Sequence, residues 1–313
     1  MSTIEKALAK QKAKENAESQ LDETVAIEVN QATPSASEST SEPIAESAVV
    51  EKQQGKARDD MDGKQFGKEL VLPLESLDND GYVSLSSKRK LINEELRAIK
   101  RKVLANAFGP LANTLDSANL VAITSTMPQE GKSFTSINLA LSIALEQDKT
   151  VLLVDADVLK PSVSKKLGVE DKIEQGLMDY LLGDVDDVRD IIYRTNIDNL
   201  RFIPAGKSSH LSTELLASER MAQLAHEFVS RYPDRVVVMD APPLLGINET
   251  VVLANLAGQV LVVVEEESTK IQGLKQAIEQ LDKDKAVGFV VNKTKKNTGI
   301  TGYGYAYAYA NHE

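Results

Sequence analysis

From Asn119 onward the chain alternates between two patterns. Short, mostly apolar runs rich in β-branched and aliphatic residues recur at Leu120–Thr124, Val151–Val154, Arg201–Ile203, Val236–Met239, Val260–Val264 and Val287–Val291. An apolar run without polar alternation predicts a strand buried on both faces. Between most of these runs lie longer segments with helical periodicity, such as Ser133–Glu146 and Glu214–Ser230. Strands alternating with helices predict a parallel sheet covered on both sides. In such sheets ligands sit beyond the carboxyl ends of the strands, so the chemistry is to be sought there.

Upstream of Asn119 the pattern differs. Leu91, Leu96, Ile99, Val103 and Leu104 form an apolar stripe that predicts a basic helix over about 87–107. Residues 19 to about 60 are Glu, Ser, Ala, Thr, Gln and Pro without an aromatic ring, a composition that buries too little apolar surface to offset its ordering entropy. Residues 3–18, rich in Ala, Lys and Glu, can form a helix with Ile4 and Leu8 on one face. The expected organisation is a short docking helix at 1–18, a mostly disordered acidic linker at 19–87, a folded domain at 88–300 and a mobile tail at 301–313.

Composition narrows the chemistry. The 313 residues are 42% hydrophobic and 27% charged, which is material for a sizeable core. Without cysteine there is no disulfide, thiolate metal site or Cys nucleophile, and His210, His226 and His312 are too few for a His-rich metal site. The net charge of -11 argues against nucleic acid as a partner. Residues 1–80 hold 17 acidic and 9 basic side chains of the 47 and 36 in the chain, so most of the excess sits in the first quarter. No apolar run approaches the roughly 18–20 residues of a bilayer span, and the N-terminus lacks a signal-peptide stretch, which predicts a cytoplasmic protein.

The strand ends carry the candidate chemistry. After Leu120–Thr124 the chain reads Ser125-Thr126-Met127-Pro128-Gln129-Glu130-Gly131-Lys132-Ser133. Gly-Lys-Ser between a strand and a helix is the back half of a phosphate-binding loop: backbone N–H groups and the helix N-terminus attract phosphate, Lys132 reaches the β/γ-phosphates and Ser133 can bind Mg²⁺. The first Gly of the strict pattern is replaced by Thr126, and a turn that happens to carry Lys is the plain alternative. The second strand ends in Asp155-Ala156-Asp157, two carboxylates able to face one crevice and hold Mg²⁺ through its waters; alternatively Asp157 caps a helix. Val236–Met239 ends in Asp240, the position of a second metal-side acid. Lys-Ser, Asp-x-Asp and Asp in this order predict ATP or GTP binding. The last strand ends in Asn292, which either offers its amide to a purine edge or is a turn residue. Tyr303, Tyr305, Tyr307 and Tyr309 alternate with Gly or Ala, as an edge strand, a low-complexity tail or a set of phosphoryl acceptors would.

With these motifs, and with Val151–Pro161, the segments QGLMDYLLGD from Gln175, NLRFIPAG from Asn199 and TELLAS from Thr213, the sequence resembles the bacterial tyrosine kinases over about Lys88 to Tyr309. It looks most like the exosortase-associated tyrosine autokinases of polysaccharide synthesis and export. The resemblance implies a parallel-sheet α/β P-loop NTPase domain of the deviant-Walker class that includes partition and division-site ATPases. It implies ATP and Mg²⁺ as cofactors, with Glu130, Gly131, Lys132, Ser133, Phe134 and Asn292 around the nucleotide. Ser133, Asp155 and Asp240 would lie at the metal, Lys132, Asp155 and Asp157 would be catalytic, and the four tail tyrosines would accept phosphate. Asp155 is expected to align the phenol or take its proton. Glu94, Arg97 and Lys100 match a helix motif that packs between subunits of a homo-oligomeric ring. An inner-membrane co-polymerase-type activator and a phosphotyrosine phosphatase are implied partners, with peripheral recruitment to the inner membrane.

Two departures stand out. Gln129 occupies a place where the family has Gly, and Lys100 replaces an Arg. The partition and division-site ATPases carry an extra Lys where this chain has Met127, and they lack the Tyr cluster, so the kinase reading is preferred. The competing function is a nucleotide-switched regulator of a membrane assembly, with the Tyr tail as a docking peptide.

Overall fold

The computed structural model describes residues 68–83, 90–110 and 112–295. All six expected strands form: β2 (Leu120–Ser125), β3 (Thr150–Asp155), β5 (Leu200–Ile203), β6 (Arg235–Asp240), β7 (Gln259–Glu265) and β8 (Ala286–Asn292). Two short strands join them, β1 (Glu69–Leu70) and β4 (Tyr193–Thr195). The sheet order is β1-β4-β5-β3-β6-β2-β7-β8. Every pair is parallel except β4 with β5, so the expected parallel sheet carries one antiparallel pair near its edge.

The helices are α1 (Leu74–Asn79), α2 (Leu91–Phe108), α3 (Lys132–Ala144), α4 (Val163–Lys166), α5 (Leu177–Leu182), α6 (Ser212–Leu216), α7 (Glu219–Ser230), α8 (Asn248–Asn255) and α9 (Ile271–Ile278). They divide the core in two. On one face, Val121, Ile123, Leu153 and Val238 of the strands meet Leu96 and Val103 of α2 and Ile137, Leu141 and Ile143 of α3. On the other, Leu120, Ala122, Leu152 and Val237 meet α5, α7, α8 and α9 through Met178, Phe228, Leu253 and Ala277. Alternation along β2 and β3 thus serves both faces, which explains their unbroken apolar runs. β8 is the exception: it is an edge strand, and its Phe289 and Val291 are 52% and 56% exposed.

Three expectations change. The domain boundary at 88 is too late, because β1 pairs with β4 and Leu70, Leu72, Leu77, Tyr82 and Val83 are buried in the α2–α3 core. Leu72 N–H donates to Asn196 Oδ1 (2.9 Å) and Asn196 Nδ2 donates to Leu72 O (3.1 Å), so the segment is tied by polar contacts as well. The segment Glu214–Ser230 is two helices: Ser218 is extended and its Oγ accepts from Met221 N–H at 3.3 Å, capping α7. The third concerns α2, which is locked in place where Gln259 Nε2 donates to Val103 O (3.1 Å) and Ala118 O (2.7 Å). Lys100 points inward, 7% exposed, donating to Ser142 O (3.1 Å) and pairing with Glu146 (2.5 Å). It serves the carboxyl end of α3, where a cation satisfies free carbonyls and the helix dipole. Lys100 is therefore unavailable to a neighbouring subunit. Residues 1–67 and the tail with Tyr303, Tyr305, Tyr307 and Tyr309 lie outside the described residues.

The place of residues 68–83 in the core is testable. Leu70→Ala should cost about 2–5 kcal/mol in urea unfolding, the range for a fully buried Leu. An unchanged unfolding midpoint would return this segment to the status of a linker.

Candidate active site

The carboxyl ends of β2, β3 and β6 meet at the middle of the sheet. Asp155 and Asp240 are register partners on the neighbouring strands β3 and β6, so parallel pairing alone brings their backbones side by side. β2 lies on the other side of β6 and delivers the loop 126–131 into α3. Lys132 Nζ sits 2.5 Å from Asp157 Oδ2 and 3.7 Å from Asp240 Oδ2, and reaches Ser133 Oγ at 3.3 Å. All four charged groups are buried. The structure thus brings together Lys132, Ser133, Asp155, Asp157 and Asp240, the residues picked out by sequence at three separate strand ends.

The acids differ in what they touch. Asp157 Oδ1 accepts from Lys160 N–H (3.2 Å), closing a turn rather than capping a helix, while Oδ2 takes Lys132. Asp155 Oδ2 accepts from Val163 N–H (3.1 Å), and its Oδ1 is buried without a hydrogen bond. Asp240 Oδ1 accepts from Ser136 Oγ (3.0 Å), and its Oδ2 has no hydrogen-bond donor. Burial, reinforced by Asp240, pushes the Asp155 carboxyl well above its ordinary value, against the opposing Val163 N–H and Lys132. Burial also raises Asp240, opposed by Lys132 and the Ser133 and Ser136 hydroxyls. Burial alone would lower Lys132, but Asp240, Asp157 and Asp155 outweigh it and hold the ammonium above its ordinary value.

Two buried carboxylate oxygens without donors fit a small hard cation. Among the described residues no cluster of three or more His, Asp or Glu is disposed to hold a metal alone. Mg²⁺ does not need one, since it keeps waters and takes one or two carboxylates plus phosphate oxygens. Asp155, Asp240 and the Ser133 hydroxyl meet that requirement.

The loop itself is shaped for an anion. Gly131, at φ +104°, begins α3 with no side chain to cap the first-turn N–H groups, which leaves them for a phosphate. A Cβ there would meet Asn292 Nδ2 at 1.8 Å, so only glycine fits. Asn292 Nδ2 donates to Glu130 O (2.9 Å) and so braces the loop. Glu130 contributes its carboxylate, accepting from Met127 N–H (2.8 Å) and from the Thr269 hydroxyl beyond β7. Gln129, where glycine was expected, adopts φ +70°, in the left-handed region that strains a non-glycine residue by roughly 1–2 kcal/mol. Phe134 packs against Tyr82 in a tilted ring pair with centroids 5.1 Å apart, which ties the first turn of α3 to the segment before α2. Glu94 and Arg97, on the exposed face of α2, pair with each other at 2.9 Å.

Several contributors were missed in the sequence. Ser136 lies one helical turn beyond Lys132, which its i+4 spacing could have revealed. Ser162 Oγ donates to Ser133 Oγ (3.0 Å) and Thr269 holds Glu130, and neither carries a local signal.

A family model described as an AAA domain matches residues 118–293, more than half of the chain. The chain is 38% identical over 191 residues to the putative tyrosine-protein kinase EpsB of Ralstonia nicotianae, a match covering 60% of this chain and 25% of that protein. It is 33% identical over 226 residues to the tyrosine-protein kinase YwqD of Bacillus subtilis, covering 71% of this chain and 90% of that one. The crystal structure of the VpsO kinase domain superposes with a TM-score of 0.54 at 26% identity, covering 66% of this chain and all of that one.

Two measurements check the site. A carboxyl raised in the folded chain binds its proton more tightly there, so Asp155 contributes stability below its unfolded value of 3.8 and loses it as pH rises through the folded value. Without metal or nucleotide, Asp155→Asn should therefore gain on the unaltered chain in urea unfolding as pH rises from about 4 to about 8. Separately, Gln129→Gly should leave the chain as stable or more stable by up to about 1 kcal/mol, since relief of strain outweighs the added unfolded-state freedom.

Proposed function

The chain belongs to the bacterial tyrosine-protein kinases, and from that premise we propose that it transfers the γ-phosphoryl group of ATP to tyrosine hydroxyls, its own tail tyrosines among them. The observation that carries this reading is the convergence of Lys132 and three buried aspartates beneath an uncapped helix N-terminus. Phosphoryl transfer has a loose transition state, so a protein accelerates it chiefly by positioning and by neutralising charge.

In the proposed reaction the phenol oxygen forms a bond to the γ-phosphorus and the bond from that phosphorus to the β–γ bridging oxygen breaks. ADP leaves, and the phenolic proton passes to Asp155. Asp155 also aligns the phenol, and a proton acceptor is needed there only late in the transfer. Lys132 moves from Asp157 to the β/γ-phosphates as nucleotide enters. The loop N–H groups and the start of α3 hold the phosphates, and Asn292 and Glu130 keep the loop in shape. Mg²⁺, when held by Ser133, Asp155 and Asp240, supplies charge neutralisation at the phosphate oxygens.

The match spans about a quarter of the length of EpsB but most of YwqD, so the setting of the reaction is a matter of proposal as well. Among the described residues no helix is long and apolar enough to cross a membrane. We place the chain in the cytoplasm, recruited to the inner membrane by a separate co-polymerase-type activator and reset by a phosphotyrosine phosphatase, in the service of exopolysaccharide synthesis. With Lys100 turned inward, a ring contact through α2 rests on Glu94 and Arg97. In such a ring the acceptor tyrosines would come from a neighbouring copy.

Lys132→Met should lower phosphotyrosine formation about a hundredfold or more, the scale of a lost electrostatic contact at a reaction centre. Near-normal phosphorylation in that variant would move the active site elsewhere. Mixing this inactive chain with an active one lacking residues 303–313 tests transfer between molecules. Phosphotyrosine on the inactive partner is the expected result, and modification confined to intact active chains at a concentration-independent rate would overturn it.

A further inference from the structure

β8 is an edge of a kind that folded proteins ordinarily protect. Its seven residues, Ala286 to Asn292, include no charge, no proline and no bulge, the devices that keep an open strand from pairing. Ala286 N–H donates to Gly258 O (3.0 Å) and Asn292 O accepts from Glu266 N–H (3.1 Å), so the even-numbered residues turn their backbone groups towards β7. By alternation, Val287, Phe289 and Val291 turn theirs outward, away from the sheet. The same three side chains share one face, where Phe289 and Val291 are more than half exposed. Among the described residues nothing pairs with this edge.

The chain itself contains a matching segment. Residues 303–309, outside the described part, read Tyr-Gly-Tyr-Ala-Tyr-Ala-Tyr, and residues 301–311 carry no charge. Large and small side chains alternate with a period of two, and tyrosine favours strands. Residues 293–302 intervene between Asn292 and Tyr303. At about 3.3 Å per residue they more than suffice to turn back and cover the roughly 4.8 Å between neighbouring strands.

We propose that residues 303–309 dock antiparallel on the outer edge of β8, with their tyrosine rings on the face that bears Phe289 and Val291. When Tyr303, Tyr305 and Tyr307 stand opposite Val291, Phe289 and Val287, the backbone groups of both strands meet and the rings cover the exposed apolar side chains. A shift by one residue would place only Gly and Ala on that face, so burial selects the registers that set tyrosines there. Covalent attachment favours this occupant over a second copy, because a short connection gives an effective concentration in the millimolar range. While docked, the acceptor tyrosines cannot enter the active site of a neighbouring copy. Phosphorylation, which rests on the kinase reading, adds about -1.5 to -2 charge per ring and would expel the segment from an apolar, uncharged edge. The edge is thus a binding site for the unphosphorylated acceptor segment.

The test uses the full-length Lys132→Met chain without nucleotide, so that docking is read independently of catalysis. Backbone amide exchange at residues 287, 289 and 291 should be at least tenfold slower in this chain than when all four tail tyrosines are also changed to serine, at any protein concentration. Phe289→Lys should remove the same protection, and chymotrypsin should then cut the tail tyrosines at least tenfold faster. Equal exchange with and without the tyrosines would overturn the proposal. Protection that rises with concentration and survives the serine changes would also overturn it, because a second copy would then be the occupant.

Discussion

One ammonium group among three buried carboxylates is the constraint on which the site depends. Lys132 lies between Asp157 and Asp240, and with Asp155 beside them the cluster carries more negative than positive charge away from water. Such an excess is unfavourable in a low-dielectric interior, and the chain meets it by binding the Asp155 proton tightly and by holding the Lys132 proton. The alternative is to admit a cation. Phosphate brought with it then offers Lys132 a second partner, so the empty and the loaded sites are two solutions of the same charge problem.

The sheet order assembles this cluster. β3 and β6 are adjacent, with Asp155 and Asp240 in register, and β2 stands next to β6 with the loop at its end. The loop is in turn held from three sides. Asn292 from β8 bonds Glu130 O, Thr269 from beyond β7 bonds the Glu130 carboxylate, and Tyr82 packs on Phe134. These braces keep Gln129 in its left-handed conformation, whose strain is offset by the surrounding contacts.

Most of this was legible in the sequence where the signal was local. The central strands announced themselves as unbroken apolar runs, and the ends of β2, β3 and β6 carried the loop lysine and the acids. β1 and β4 were missed because two or three residues are too few to show a period, and pairing rather than propensity makes them strands. The break at Ser218 was hidden because α6 and α7 bury residues in similar phase, and only the cap separates them. Lys100 was misread because a long side chain can leave a basic helix face and reach inward to the end of α3, a contact that depends on how α2 and α3 pack. The Glu130–Thr269 contact joins residues from opposite halves of the domain, and no sequence spacing encodes it.

The central claim is that the cluster exchanges a tightly held proton for a metal–nucleotide complex. It is tested most directly by titration calorimetry of Mg·ATP in buffers of differing ionisation enthalpy, on the unaltered chain and on Asp155→Asn. The account predicts that binding to the unaltered chain releases more protons than binding to the variant, and that the difference grows as the pH is lowered within the range where both stay folded. Equal proton release by the two chains at every pH would contradict it.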